Sequence, residues 1–182
     1  ISLEINSKYQ MKPRLTSEPS CSVSMALSLD KDRSNIEQFI AHNFYQSYQA
    51  QVDHFADLLI GCKSDEDHNW MAAFGMSKLT NKKAYLEQYL DQPIEHYISA
   101  LTGKKVERSE VFELGNLAAD YPGATRRLIK KMTSVIYNQG GRWVVFTVNK
   151  LVLNAFHKSN LNPQVISKAD PHRLPNHGTN WG

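Results

Sequence analysis

Long apolar runs are missing from this 182-residue chain. No segment approaches the roughly 20 apolar residues that a membrane-spanning helix needs, and the N-terminus lacks the basic-then-apolar order of an export signal. Cysteine is scarce: Cys21 and Cys62 stand alone in apolar surroundings without CxxC spacing, which excludes a disulfide framework and a structural zinc site and leaves two buried thiols as the expectation. The 7 histidines form neither HxxxH nor HExxH, and Asp170-Pro171-His172 reads as a turn, so metal catalysis is not supported. No Gly-x-Ser-x-Gly elbow exists to carry Ser-His-Asp chemistry. A charge of one sign is also lacking. The formal net charge of +3 is too small to call for nucleic acid, yet it tolerates an anionic cofactor or a negative membrane surface. As written the chain is expected to be a cytoplasmic protein. It starts at Ile1 and stops at Gly182 directly after a turn-rich segment, so both ends of a longer protein, with any targeting information, are expected to lie outside it.

The length suits one core. Residues 1–20 carry Pro13, Pro19 and polar residues without periodicity and read as an arm, followed by a single domain over 21–182. Cys21, Val23, Met25, Leu27 and Leu29 alternate with small or polar residues as a half-buried strand does. Ser34 to Glu37 has the spacing of a capping box, with Ile36, Phe39, Ile40, Phe44 and Tyr48 on one face of the helix it opens. Residues 55–62 and 69–79 read as a hairpin joined by Ser64-Asp65-Glu66-Asp67. Asp91 and Pro93 announce a helix closed by Gly103, with Ile94, Tyr97 and Ile98 as core. Val111 to Ala119 is a central strand. The helix from Gly123 to Asn138 has Leu128, Ile129, Met132 and Ile136 on one face and Arg126, Arg127, Lys130 and Lys131 on the other. A buried strand over 143–148, a short helix over 149–159 and a weak strand over 164–167 complete a mixed α/β sheet with helices on both faces.

Chemistry concentrates between Val111 and Leu161. A strand that runs into a helix brings unpaired amides and the positive helix end to one spot, the arrangement that holds phosphorylated ligands. Ala118, Gly123 and Ala124 are small enough for close approach to the main chain, and Arg126 adds charge. On composition alone the same loop reads rather as a strand-to-helix turn with a solvated basic face. Glu113 shares a strand face with Val111, Gly115 and Leu117, which makes it a cleft-lining carboxylate. Two readings stand side by side: a general base with a raised pKa, or a structural carboxylate bonded to neighbouring backbone or to an arginine. Asn116 points to the other face and fixes a loop.

A family resemblance rests on particular residues. Tyr45, Tyr48, Ala50, Val52 and Phe55, then YLEQYLDQPIE from Tyr85, VFELGNLAA from Val111, WVVFTVNKLVLNAF from Trp143, ADPHRLP from Ala169 and the terminal Trp181-Gly182 resemble the thermostable hemolysin family of marine bacteria such as vibrios. That family is similar to the acyl-CoA N-acyltransferase fold and to acyl-homoserine lactone synthases. The resemblance implies a twisted mixed sheet of that type, a bound coenzyme A or acyl-CoA, and an acyl thioester and a small amine as partners. It puts Glu113 and Asn116 at catalytic positions and Leu117, Ala118, Gly123, Ala124, Thr125, Arg126 and Asn149 around the thioester carrier. The synthases carry Glu-x-x-Arg where this chain has Glu113-Leu114-Gly115-Asn116, so the arginine is replaced. Of the acetyltransferase pyrophosphate pattern only Gly123 survives, within Asp120 to Thr125. Phe156 stands seven residues after Asn149, where a proton-donating tyrosine is common. The resemblance implies an acyltransferase that admits the acyl arm through a V-shaped opening between two central strands, with Glu113 taking the amine proton. The alternative is a membrane-active hemolysin on a retired acyltransferase scaffold, for which the family label also implies secretion. Its one basic amphipathic helix, 123–138, has an apolar side that the sheet needs for its own core.

Overall fold

The computed structural model describes residues 2–4, 20–52, 54–120, 122–158 and 160–174. Six strands form one sheet in the order β1-β6-β5-β4-β3-β2. They are β1 (Ser2–Glu4), β2 (Cys21–Ala26), β3 (Leu58–Ser64), β4 (Trp70–Lys78), β5 (Val111–Ala119) and β6 (Trp143–Phe146). Only β5 and β6 run parallel, and every other neighbouring pair is antiparallel. The parallel pair requires a crossover, which the helix after β5 supplies. The expected mixed sheet is therefore present, with helices on both faces.

The helices are α1 (Arg33–Tyr48), α2 (Ile94–Thr102), α3 (Pro122–Asn138) and α4 (Lys150–Lys158), with a short 3-10 helix at Tyr85–Tyr89. On one face Leu128, Ile129, Met132 and Ile136 of α3 and Phe156 of α4 pack over Ile60, Phe74, Met76, Phe112 and Val144. The apolar stripe of α3 is thus spent on the core, as its sequence pattern predicts. On the other face Ile36 and Ile40 of α1 cover Leu59, Ala73 and Ala118, while Ile94 and Ile98 of α2 cover Val111 and Val145. Pro93 precedes α2, and Gly103 ends it in the left-handed region at φ 67°. Past the end of α3, a Cβ on Gly141 would sit 2.6 Å from the Phe112 ring, so the chain turns there only with glycine.

Several local expectations are corrected. β2 stops at Ala26, because Asp30 closes a turn on Leu27 by accepting its N–H at 2.7 Å. Leu27 and Leu29 are consequently exposed and not on an inward strand face. The capping box does not form: Asp32 precedes α1, Ser34 falls inside its first turn, and the Glu37 carboxylate accepts from Arg33 Nε at 2.8 Å. Arg33 also binds the carbonyls of Ala56 and Asp57 at 2.9 and 2.8 Å, which anchors α1 to the segment entering β3. The stripe of α1 fades toward its end, where Tyr48 is 43% exposed, since the helix runs past the edge of the packed core. The weak strand at 164–167 reduces to one bridge residue, Gln164. Cys21 is half-buried, Cys62 is buried, and both are free of disulfide bonding. The arm over 1–20 falls mostly outside the described residues, as do Tyr121, Pro175 and Trp181-Gly182. Among the described residues no helix is long and apolar enough to cross a membrane.

Candidate active site

β5 and β6 pair over only four residues each, Val111–Leu114 with Trp143–Phe146. Beyond Leu114, β5 continues along β4 to Ala119, whereas β6 ends and the chain turns into α4. The two strands part, and the outward edge of β5 keeps no strand partner among the described residues. A cavity of about 340 Å³ opens in this fork. Its floor is Leu114, Gly115 and Leu117 of β5, its far arm Thr147, Val148 and Asn149, and its inner wall Leu128, Ile129 and Met132 of α3. Phe44 and Tyr48, at the end of α1, reach its rim. The lining is mostly apolar, with a few polar groups converging on it, as in binding clefts generally.

A bulge lies beside the fork, on the β4 side of β5. Ala73 pairs with Ala118 and Gly75 with Gly115, so Phe74 alone stands opposite both Asn116 and Leu117. Asn116 adopts φ 53°, a left-handed conformation that asparagine tolerates better than most residues. Its side chain bonds at both ends: Oδ1 accepts from Ala56 N and Nδ2 donates to the His54 carbonyl, both at 3.0 Å. Gly75 makes room for this arrangement, because a Cβ there would lie 2.6 Å from Ala56 Cβ and 2.8 Å from Asn116 Oδ1. The reading of Asn116 as the residue that fixes a loop is met. Its side chain is directed to that loop, with one of its two Nδ2 N–H groups spent on the His54 carbonyl.

The extra residue also reverses the strand's parity. Before the bulge Val111 and Glu113 face α2 and the short helix while Phe112 and Leu114 face α3; after it Leu117 and Ala119 face α3, and Ala118 faces α1. The expectation that Glu113 and Leu117 share a face is therefore wrong, and Ala118 is buried against α1 instead of lining the cleft. Simple alternation cannot foresee this, because one residue in a left-handed conformation shifts every side chain after it.

Glu113 lies at the cavity, where Oε2 accepts from Tyr85 N at 2.8 Å and Oε1 from Leu86 N at 2.7 Å. Each oxygen keeps a lone pair for a further partner. Burial pushes the Glu113 carboxyl above its ordinary range; the two amides pull it back, Glu87 adds to the rise and His54 opposes it. Both readings of this residue are thus represented: it is bonded to backbone, and it lines the cleft with a raised pKa. Tyr85 in turn stacks on His54 with ring centroids 5.7 Å apart, closing that side of the cavity.

The short helix that holds Glu113 is itself pinned from below. Glu87 accepts from Ala84 N and Ile94 N, each at 2.8 Å, and from the Arg108 guanidinium. Burial raises the Glu87 carboxyl, but Arg108 and the two amides outweigh it and hold the group below its ordinary range. Arg108 also reaches Glu95 and the Lys82 carbonyl. The role of Arg108 was not legible in the chain, since it stands 13 to 26 positions from the residues that it binds.

Asn149 lines the far arm and caps α4, its Oδ1 accepting from Val152 N at 3.0 Å, while Nδ2 donates to Tyr48 Oη at 3.2 Å. Among the polar residues of the cavity, Tyr48, His54, Ser77, Tyr85, Tyr89 and Thr147 are ones that sequence reasoning did not assign to a site. Gly123 falls in the first turn of α3 and Ala124 is buried in its packing; the side chains of Thr125 and Arg126 lie outside the described residues. Among the described residues no group of three His, Cys, Asp or Glu could hold a metal ion.

Comparison with solved structures places this fold. TofI, in a ternary complex with an inhibitor and MTA, matches with a TM-score of 0.52 and 12% identity over 75% of this chain and 77% of that one. The AHL synthase LasI matches with a TM-score of 0.53 and 10% identity over 78% of each chain. TofI in an apo form matches with a TM-score of 0.53 and 12% identity over 75% of this chain and 76% of the other. At such identities the likeness is one of fold. No curated protein matches the chain in sequence. Residues 27–182 match the Thermostable hemolysin family, and the chain therefore belongs to the thermostable hemolysin family, carried on an AHL-synthase-like fold.

Proposed function

We propose that this chain is an acyltransferase that takes an acyl thioester, on coenzyme A or an acyl carrier, and transfers the acyl group to a small amine. The observation that carries the reading is the fork between β5 and β6 with a cleft-lining carboxylate on β5. A pantetheine arm is extended and carries its own amides, so the unpaired edge of β5 beyond Leu114 offers it complementary main-chain groups. Leu117 and Gly115 leave the acyl chain an apolar floor, and Asn149 contributes to the far arm. Attack on a thioester requires a neutral amine. Glu113, raised in pKa by burial and held by two amides, takes the proton that the amine loses as its nitrogen bonds to the carbonyl carbon. The fold shared with AHL synthases supports the class of chemistry, and the TofI complex with MTA gives a second small molecule to try.

Isothermal titration with acetyl-CoA, octanoyl-CoA and MTA tests the proposal, together with thiol release from octanoyl-CoA in the presence of a small amine. Binding of octanoyl-CoA is expected, and Glu113→Gln is expected to slow thiol release by about 10²-fold or more. Absence of heat with both thioesters, or a Glu113→Gln variant as active as the parent, defeats the reading.

A further inference from the structure

A departing thiolate needs a proton, and Phe156 has none to give: it is 2% exposed and stacks on Phe146 with centroids 4.7 Å apart. A phenol reaches the cavity from elsewhere. Tyr48 is the last residue of α1, and its hydroxyl meets Asn149, which is 101 positions away in sequence. The orientation of that contact is fixed. Asn149 Oδ1 is occupied by the Val152 N–H that it caps, so Nδ2 faces the phenol and donates to Tyr48 Oη. Oη is the acceptor there, so that contact leaves its own proton to be given elsewhere, beside the cavity that Tyr48 lines. The other cavity hydroxyls are placed less well. Tyr85 and Tyr89 belong to the short helix that holds Glu113, and Ser77 pairs with Glu113 across β4 and β5, so all three stand on the side of the base. Thr147 offers only an aliphatic hydroxyl, a much weaker acid than a phenol.

We infer that Tyr48 is the acid that protonates the leaving thiolate and that Asn149 is its positioning residue, an assignment that rests on the acyl-transfer reading. The step balances. The amine nitrogen bonds to the carbonyl carbon, the C–S bond breaks with its electron pair on sulfur, and the Tyr48 O–H proton passes to that sulfur. The surplus amine proton goes to Glu113. The phenolate is stabilised by the Asn149 N–H until water, which reaches this exposed side chain, returns a proton to it, and Glu113 releases its own to solvent. Base and acid stand on opposite arms of the fork, Glu113 on β5 and Tyr48 over Asn149, three residues past the end of β6, an arrangement that serves the two ends of the tetrahedral intermediate separately.

The test compares octanoyl-CoA with S-phenyl thiooctanoate, using hydroxylamine as the amine and following thiol release, for the parent chain, Tyr48→Phe and Asn149→Asp. Tyr48→Phe keeps the ring against Phe44 and removes only the hydroxyl. It is expected to lower kcat on octanoyl-CoA by about 10²-fold with little change in KM, and to have little effect on the phenyl ester, whose thiolate leaves without a proton. Asn149→Asp keeps the helix cap but turns the phenolic proton toward a carboxylate, and is expected to show the same dependence on leaving group. Equal kcat for Tyr48→Phe and parent on octanoyl-CoA, or equal losses on both esters, overturns the assignment while leaving acyl transfer intact. A parent chain that releases no thiol above the uncatalysed rate overturns acyl transfer and this assignment together.

Discussion

Arg108 and Glu87 meet as a two-pronged pair, with Nη1 on Oε1 and Nη2 on Oε2, each at 2.8 Å. Glu87 is only 5% exposed, so its charge is stable there because the guanidinium and two backbone amides surround it. The pair lies beneath the short helix whose amides hold Glu113, so a structural ion pair supports a functional carboxylate. Arg108→Ala strands a buried carboxylate and is expected to lower stability by about 3–5 kcal/mol. Arg108→Lys keeps the charge without the fork and should fall between parent and alanine variant in urea unfolding. An alanine variant as stable as the parent would show that the pair is dispensable.

The two glutamates oppose each other in pH dependence. Glu87 is held below its ordinary value of 4.5, so its contribution is present above that pH and is lost as pH falls through the lower, folded value. Glu113 is raised above 4.5, so the folded state binds its proton more tightly, and the contribution is full below 4.5 and lost as pH rises through the raised value. Denaturation midpoints measured from pH 3 to 8 on the parent, Glu87→Gln and Glu113→Gln are expected to diverge accordingly. The parent's advantage over Glu87→Gln should grow with pH, and its advantage over Glu113→Gln should shrink. A constant difference in either pair would contradict the assigned direction.

The bulge should discriminate glycine from alanine at position 116. Both substitutions remove the bonds to Ala56 and His54, but only alanine also strains the left-handed conformation at φ 53°. Asn116→Gly is therefore expected to be more stable than Asn116→Ala by about 1 kcal/mol, with both below the parent. Thermal unfolding of the three proteins reads this directly, and an alanine variant at or above the glycine variant would count against the strained bulge.

Two glycines on neighbouring strands should behave differently. Gly75→Ala drives a methyl against Ala56 and Asn116 and is expected to destabilise by about 1–3 kcal/mol. Gly115→Ala meets nothing within 4 Å, so stability should hold while the new methyl projects into the fork. Titration with octanoyl-CoA should then show weaker binding for a folded Gly115→Ala protein. Unchanged affinity would place the ligand elsewhere.

Much of the architecture was legible because its signals are local. The apolar run at Val111–Ala119, the stripe of Leu128, Ile129, Met132 and Ile136, and the Pro93 and Gly103 boundaries of α2 each express the period or backbone preference of one short segment. Local signals also misled: the Ser34–Glu37 spacing looked like a capping box until Arg33, tied to Ala56 and Asp57, took the glutamate. The cleft carboxylate Glu113 could be read from its place in a buried strand.

What the sequence alone determined was the set of elements, their order, and the presence of an acidic residue in a central strand, since periodicity and turn chemistry act within a few residues. Only the tertiary structure decided which side chains meet. The bulge at Asn116 reset the faces of β5, Arg108 found Glu87, and Tyr48 came to Asn149 across the fork. Such encounters depend on how strands and helices pack in space, and no period along the chain encodes a contact between residues that the fold alone brings together.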